Sequence, residues 1–317
     1  MAERARIARY FAPLTASEPG SFNLTDDAAV LTPPAGQQLV ITTDSVIETI
    51  HVLAGASPQQ FAQKLMRRNL SDLAAMGATP WCYTLNLHTP VGLNDDWFAA
   101  FAAALATEQQ TFGITLVGGD STSGGDVIHT TMTCYGLLQG TALRRNGAKM
   151  DDDLYISGTI GGAALALAML QQKQPIDAVL AAKYHCPEPR LTLGLKLIGI
   201  ATSALDISDG LLADIQQLCT TSHVGARLER AAIPLLPELT VLVATDETAW
   251  RFALSGGDDY ELCFTAPSSA RAQLQTFATE LNVPLTRIGE IIAGDKVIVL
   301  DEQGNELLIT ATGYEHR

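Results

Sequence analysis

This chain of 317 residues has no long apolar run, little cysteine and no cluster of positive charge. The longest apolar stretch, residues 163–170, falls far short of the roughly 20 residues that a membrane-spanning helix needs. Residues 1–11 carry three arginines and no apolar segment of signal-peptide length. The five cysteines (Cys82, Cys134, Cys186, Cys219 and Cys263) are odd in number and show no C-x-x-C spacing. Most sit in apolar runs, as reduced buried thiols do. A soluble, cytoplasmic protein is the expectation. Lys and Arg total 20 against 34 Asp and Glu, a formal net charge of −14, and no basic run exceeds the pairs Arg67-Arg68 and Arg144-Arg145. A nucleic-acid surface normally needs a basic patch, so neither nucleic acid nor a membrane is an expected partner.

The familiar phosphate motifs are missing as well. There is no G-x-x-x-x-G-K-[ST], no G-x-G-x-x-G, and no H-R-D or D-F-G set. No H-E-x-x-H, G-x-S-x-G or zinc-type Cys/His spacing occurs either. The glycine-rich stretch 158–162, just before a helical pattern, reads as a tight turn or as a cradle for an anion.

What is present is an apolar content of 47%, enough for one or two sizeable cores, in alternating strand-like and helix-like segments. That pattern argues for an α/β or α+β architecture. Strands are expected over 39–41, 114–117, 128–138, 154–157 and 262–264, with two short ones near the end. Helices are expected over 57–76, 95–111, 163–171, 191–199, 209–220 and 268–281. Ser57 caps the first, Pro58 opens it and Gly77 stops it, with Ala62, Leu65, Met66, Leu70 and Leu73 as its apolar stripe. Ser208 is the expected cap of the helix over 209–220. The polar stretch 144–153, ending in three aspartates, marks a boundary between domains at 1–146 and 147–317.

Several strands end in an acid: Asp44, Asp120 and Asp206. Others pair up as Asp26-Asp27, Asp206 with Asp209, and Asp258-Asp259. Strand ends in α/β proteins are where ligands usually sit, and hard cations such as Mg²⁺ take carboxylate oxygens at about 2.0–2.1 Å. Each acid alone is equally at home as a turn-maker or helix cap. Asp72 differs: it falls in the last turn of its helix, where the dipole disfavours negative charge and a compensating cation is one reading beside a purely structural one.

The stretch Asn69-Leu70-Ser71-Asp72-Leu73-Ala74-Ala75-Met76-Gly77-Ala78 resembles the thiamine-monophosphate kinase family. Four further blocks agree in order and spacing: Asp26-Asp27-Ala28-Ala29 with Thr42-Thr43-Asp44, Gly118-Gly119-Asp120, Asp206-Ile207-Ser208-Asp209-Gly210, and Ser255-Gly256-Gly257-Asp258-Asp259-Tyr260-Glu261-Leu262. The likeness runs over residues 7–314. Aminoimidazole ribonucleotide synthetase, selenophosphate synthetase and a hydrogenase maturation protein share the two-domain layout but not this set of blocks. The resemblance implies an N-terminal α/β domain whose strands help form a homodimer, a C-terminal α/β domain, and transfer of the ATP γ-phosphoryl group to thiamine monophosphate. By matching positions it implies that Asp27, Thr42, Thr43, Asp44, Asp72, Asp120, Asp206 and Asp209 hold several Mg²⁺ ions. It likewise implies that Gly119, Asp120, Arg145 and Ser208 contact ATP, and that His51, Asp258 and Tyr314 contact the thiamine phosphate. This chain departs from the family pattern in having Thr25 in place of Gly, no N-terminal Gly-Glu, and Asp rather than the frequent Glu at 258. The competing readings are another ATP-dependent enzyme of the same layout and a silent nucleotide-binding regulator. Selenophosphate synthesis calls for a reactive Cys near the N-terminus, and the first Cys here is Cys82.

Overall fold

Ser57 and Gln60 cap a helix reciprocally in the computed structural model, which describes residues 2–308 and Gly313. Ser57 Oγ accepts the Gln60 N–H at 3.2 Å, and Gln60 Oε1 accepts the Ser57 N–H at 2.8 Å. The helix that follows buries the whole expected stripe, from Ala62 to Leu73. The chain divides into two compact units, Met1–Leu73 with Ala78–Gly140, and Ala74–Gly77 with Thr141–Arg317. The elements begin α1 (Glu3–Arg6), β1 (Gln38–Ile47), α2 (Pro58–Ala75), β2 (Thr79–Thr89), α3 (Asp95–Phe112), β3 (Thr115–Ser123) and β4 (His129–Leu138).

The four strands of the first unit lie in the order β1-β4-β2-β3. β1 and β4 pair antiparallel without a slip from Gln38↔Leu138 to Ile47↔His129. β2 is antiparallel to β4 and parallel to β3. Successive side chains point to opposite faces, so Met132 and Cys134 are buried under the helices while Thr131 and Thr133 are not. α2 lies on the buried face, where glycine at 136 leaves room for Leu73: a Cβ there would stand 3.0 Å from Leu73 Cδ2. α3 packs on α2 through an edge contact of Phe61 with Trp97 and a buried Arg67–Glu108 ion pair at 2.8 Å. β2 was not among the expected strands. Pro80 near its start suggests a break, yet Tyr83, Leu85 and Leu87 alternate inward. β3 is longer than expected, because Gly118-Gly119-Asp120 stay paired with β2.

The second unit continues with β5 (Asp153–Ser157), α4 (Gly162–Gln171), α5 (Ala178–His185), α6 (Leu191–Leu197), β6 (Ser203–Asp206), α7 (Leu211–Ser222), β7 (Gly225–Glu229), α8 (Pro237–Thr245), α9 (Trp250–Leu254), β8 (Leu262–Ala266), α10 (Arg271–Leu281), β9 (Leu285–Ile292) and β10 (Val297–Leu300). Its sheet runs β10-β7-β9-β5-β8-β6. Tyr155 on β5 stacks on Phe264 of β8 with ring centroids 5.3 Å apart. α7 starts later than expected: its N-cap is Gly210, at φ 125°, and no side chain caps it. Among the described residues, no helix is long and apolar enough to cross a membrane.

Of the three aspartates at 151–153, Asp151 is exposed but Asp152 and Asp153 are buried. Asp152 accepts the Lys149 N–H and the Thr202 hydroxyl at 2.9 and 2.6 Å. Asp153, 2% exposed, accepts two bonds from Arg271 of α10 and one from Arg287 of β9, each at 2.6 Å. The Arg271 bond and then the Arg287 bond, opposed by burial, hold the Asp153 carboxyl below the usual carboxylate range. A carboxyl depressed by folding adds stability above its unfolded pKa, near 4, and loses that contribution as the pH falls through its folded value. Asp153→Asn is therefore expected to cost about 1–3 kcal/mol at neutral pH. It should also flatten the loss of stability below about pH 4. Urea denaturation across that pH range measures both.

Candidate active site

The register of the first sheet sorts the expected ligands. Thr42 and Asp44 stand opposite Cys134 and Met132 on the face covered by α2. There the Thr42 hydroxyl donates to Asp72, Asn69 Oδ1 accepts the Asp44 N–H at 3.1 Å, and Arg68 Nη2 donates to Asp44 Oδ1 at 3.3 Å. The stretch 68–72 of α2 thus supplies an amide, a cation and a carboxylate to the middle of β1. Thr43 is turned the other way: its hydroxyl pairs with that of Thr133 at 2.9 Å on the open face. Its side chain does not join Thr42, Asp44 and Asp72, and only its carbonyl remains as a donor to that face.

Asp120 does not join them either. By register it falls in the open-face row Ser45–Thr131–Asn86–Asp120, whose other end is on β1. Three strand spacings separate β1 from β3, roughly 14 Å. Asp120 and Gly119 instead line, with Asp27, a cavity of about 520 Å³ that also takes in Leu31, Thr84 and Tyr135. Glycine at 119 is required by the fold: its φ is 149°, and a Cβ there would lie 1.8 Å from the Leu85 carbonyl oxygen. His51, in the loop after β1, accepts the Ile47 N–H at Nδ1 over 3.1 Å. In the neutral ring that places the proton on Nε2.

In the second unit the two acidic blocks are laced together by main chain. Ile207 N–H reaches the Glu261 carbonyl at 2.9 Å, Tyr260 N–H the Ile207 carbonyl at 2.8 Å, and Asp258 N–H the Ser208 carbonyl at 2.9 Å. Asp258 and Tyr260 both take positive φ, 71° and 52°, and the Tyr260 hydroxyl donates to Asp258 Oδ1 at 2.9 Å. The loops that carry Asp206, Ser208, Asp209 and Asp258 are therefore neighbours. Two further carboxylates hold these loops. Asp214 Oδ2 accepts the N–H groups of Ser208, Asp209 and Gly210. Burial first, and then the Asp209 charge, push its carboxyl up to about 7, against those three bonds. Asp259 accepts the Gly161 and Ala163 N–H groups at 2.7 and 3.4 Å, and burial pushes it to about 7 as well. The glycine-rich turn does cradle an anion, but the anion is the protein's own. Asp214 is absent from the sequence-based candidates although an acid between Leu212 and Ile215 breaks the apolar pattern visibly, and Asp259 is there only as one of an acid pair, because its partner turn is far away in sequence.

Arg145 does not reach Ser208. Its Nη1 donates to Gln217 Oε1 at 2.6 Å, six residues into α7 and about 9 Å along the helix from its start. Tyr314 lies outside the described residues. The donors are all oxygens, with no thiol or imidazole among them, which suits a hard cation such as Mg²⁺. Arg68 beside Asp44 fits the same reading, because facing carboxylates need positive charge nearby. Among the described residues no three His, Cys, Asp or Glu side chains converge on a point that could hold one ion. What the structure ties together is Thr42 with Asp72, with Asp44 on the same face of β1, and in the second unit the loops that carry Asp206, Asp209 and Asp258.

Gly119→Ala should force β3 away from β2. We expect a loss of roughly 2–4 kcal/mol for such a backbone clash. Faster amide exchange should be confined to 119–123, measured by mass spectrometry.

Residues 25–138 match the family described as AIR synthase related protein, N-terminal domain, and residues 150–302 match the corresponding C-terminal domain. The thiamine-monophosphate kinase of Haemophilus influenzae is 37% identical, with 100% of this chain and 98% of that protein covered. That of Escherichia coli K12 is also 37% identical, over 99% of this chain and 98% of its own length. Among solved structures, the thiamine-monophosphate kinase from Stenotrophomonas maltophilia superposes with a TM-score of 0.82 at 40% identity, covering 87% of this chain and 89% of that one. AaThiL complexed with AMPPCP and TMP superposes with a TM-score of 0.78 at 25% identity, covering 94% and 98%. A hydrogenase maturation protein, HypE, shares the fold at 18% identity and a TM-score of 0.82. The chain belongs to the thiamine-monophosphate kinase family, within the AIR synthase related proteins.

Proposed function

We propose that this chain transfers the γ-phosphoryl group of ATP to the phosphate of thiamine monophosphate, giving thiamine diphosphate and ADP. The observation that carries the reading is a likeness over the full length to thiamine-monophosphate kinases, one of them complexed with AMPPCP, an analogue of ATP, and with TMP. Oxygen-only donor sets in both units support it.

Asp27, Thr42, Thr43, Asp44, Asp72, Asp120, Asp206 and Asp209 are the proposed holders of several Mg²⁺ ions, Thr43 through its carbonyl. When bound, the ions neutralise the polyphosphate and align donor and acceptor oxygens. Gly119, Asp120, Arg145 and Ser208 are assigned to ATP, with Arg145 leaving Gln217 to offer its planar fork. His51, Asp258 and Tyr314 are assigned to the thiamine phosphate. Residues 1–146 then serve as the ATP-binding and dimer-forming domain and 147–317 as the second α/β domain. The homodimer is supported by β1, an edge strand whose open face exposes Leu39 at 44% and Ile41 at 60%. A second copy is the proposed cover, and light scattering should give twice the chain mass. A cytoplasmic location accords with five free cysteines.

The acceptor phosphate already carries an anionic oxygen at neutral pH, since its second pKa is about 6, so no general base is needed. Its oxygen forms the new bond to the γ-phosphorus as the bond to the β-phosphate oxygen breaks, and ADP departs. The Nδ1 lone pair of His51 is committed to Ile47 N–H, which argues against a covalent relay there. Direct transfer should invert configuration when the γ-phosphorus of ATP is chiral, and net retention would exclude it. Purified protein with Mg²⁺, ATP and thiamine monophosphate should yield thiamine diphosphate. Asp72→Asn should lose activity on the order of 10²-fold with its circular-dichroism spectrum intact. Near-normal turnover of that variant at limiting Mg²⁺ would contradict the assignment.

A further inference from the structure

Asp214 sits in the first turn of α7 and is 2% exposed. Its neighbours Leu211, Leu212, Ile215 and Leu218 are all buried apolar side chains. A carboxylate there costs desolvation and faces the charge of Asp209, so its retention needs a compensating role. The geometry supplies one. A single oxygen, Oδ2, accepts three consecutive main-chain N–H groups, from Ser208 at 3.0 Å, Asp209 at 3.1 Å and Gly210 at 3.1 Å. Convergent amides of this kind form a nest that otherwise binds external anions. Here Asp214 fills it from inside, so these amides are closed to a nucleotide phosphate.

We propose that Asp214 is a positioning residue for phosphoryl transfer: by holding the three amides of Ser208, Asp209 and Gly210 on one oxygen, it fixes where Ser208 and Asp209 meet the metal-bound nucleotide. The proposal rests on the kinase reading above. Its physical content is location rather than charge. Glycine at 210 (φ 125°) and the close approach of Gly257, whose Cβ would lie 2.2 Å from the Ser208 carbonyl oxygen, leave this loop no slack. A shift of the anchoring oxygen therefore moves Ser208 and Asp209 instead of being absorbed. In Asp214→Asn the amide oxygen can occupy the Oδ2 place and accept the same bonds. Asp214→Glu keeps the charge but carries the acceptor one methylene too far. Asp214→Ala removes the acceptor.

The test is calorimetric titration with AMPPCP in the presence of Mg²⁺, alongside steady-state kinetics and thermal melting. Asp214→Glu and Asp214→Ala should bind the analogue about 10–100-fold more weakly, as for other groups that orient metal ligands. Their KM for Mg-ATP should rise while the KM for thiamine monophosphate stays within about 3-fold, the context spread of such effects. Asp214→Asn should stay within the same margin on every readout. A merely structural role would lower melting temperature and active fraction and leave the affinity of the folded protein unchanged, which would overturn the proposal. So would an Asp214→Asn variant as weak as Asp214→Ala, since charge would then be what matters. If Asp214→Ala does not fold, the contrast between Asn and Glu still decides. Failure of the wild-type protein to form thiamine diphosphate would instead overturn the kinase reading, and the titrations would still report whether Asp214 positions a nucleotide site.

Discussion

The pairing of β1 with β4, unbroken over the whole of β1, is the constraint on which the first half of the site depends. In a strand the side-chain period is two, so a one-residue slip would exchange every face. The present register sends Thr42 and Asp44 toward α2 and Thr43 away from it. It is α2, held by its cap at Ser57 and Gln60 and by its buried stripe, that brings Asn69, Arg68 and Asp72 to meet them. A sheet register and a helix phase must agree for a hydroxyl, an amide, a guanidinium and two carboxylates to collect at one strand. The same register places Asp120 on the opposite edge and opposite face. An acid-rich sequence therefore yields two separate donor groups in the first unit instead of one.

The excess of acid is put to distinct physical uses. Asp153 is a buried anion neutralised by two arginines. Asp214 and Asp259 are buried anions satisfied by main-chain amides, and burial raises both to about 7 because amides offset desolvation only in part. Asp44 is partnered by Arg68 and Asp72 by a hydroxyl.

Local features of the fold were legible in the sequence, and long-range ones were not. Ser57-Pro58 and the stripe from Ala62 to Leu73 mark α2 nearly to the residue, because caps and helical period act within a few positions. The motif blocks identified the acids. Nothing in Thr42-Thr43-Asp44 says which threonine faces the helix, since that is decided by pairing with a strand some ninety positions away. Ser208 looked like a helix cap because Ser before Asp is a common start signal. Instead its N–H is captured by Asp214, and the helix begins after a glycine in a conformation that other residues rarely adopt. Arg145 is placed with ATP by motif match alone, and its guanidinium rests on Gln217.

Neighbouring carboxylates repel one another, so they cannot hold themselves together. The loops carrying Asp206, Asp209 and Asp258 approach because ties that carry no net charge bring them together. These are the main-chain bonds from Ile207, Tyr260 and Asp258, and the glycines at 210 and 257 that let two loops close to within contact of each other's carbonyls. Positive φ at Asp258 and Tyr260 is a strain of order 1–3 kcal/mol each, maintained by those bonds. The two loops are thus organised by main chain, and the repulsion among the carboxylates they carry is offset by the fold. Residues with no charge of their own, the glycines and the main-chain amides, are therefore as necessary to this arrangement as the carboxylates.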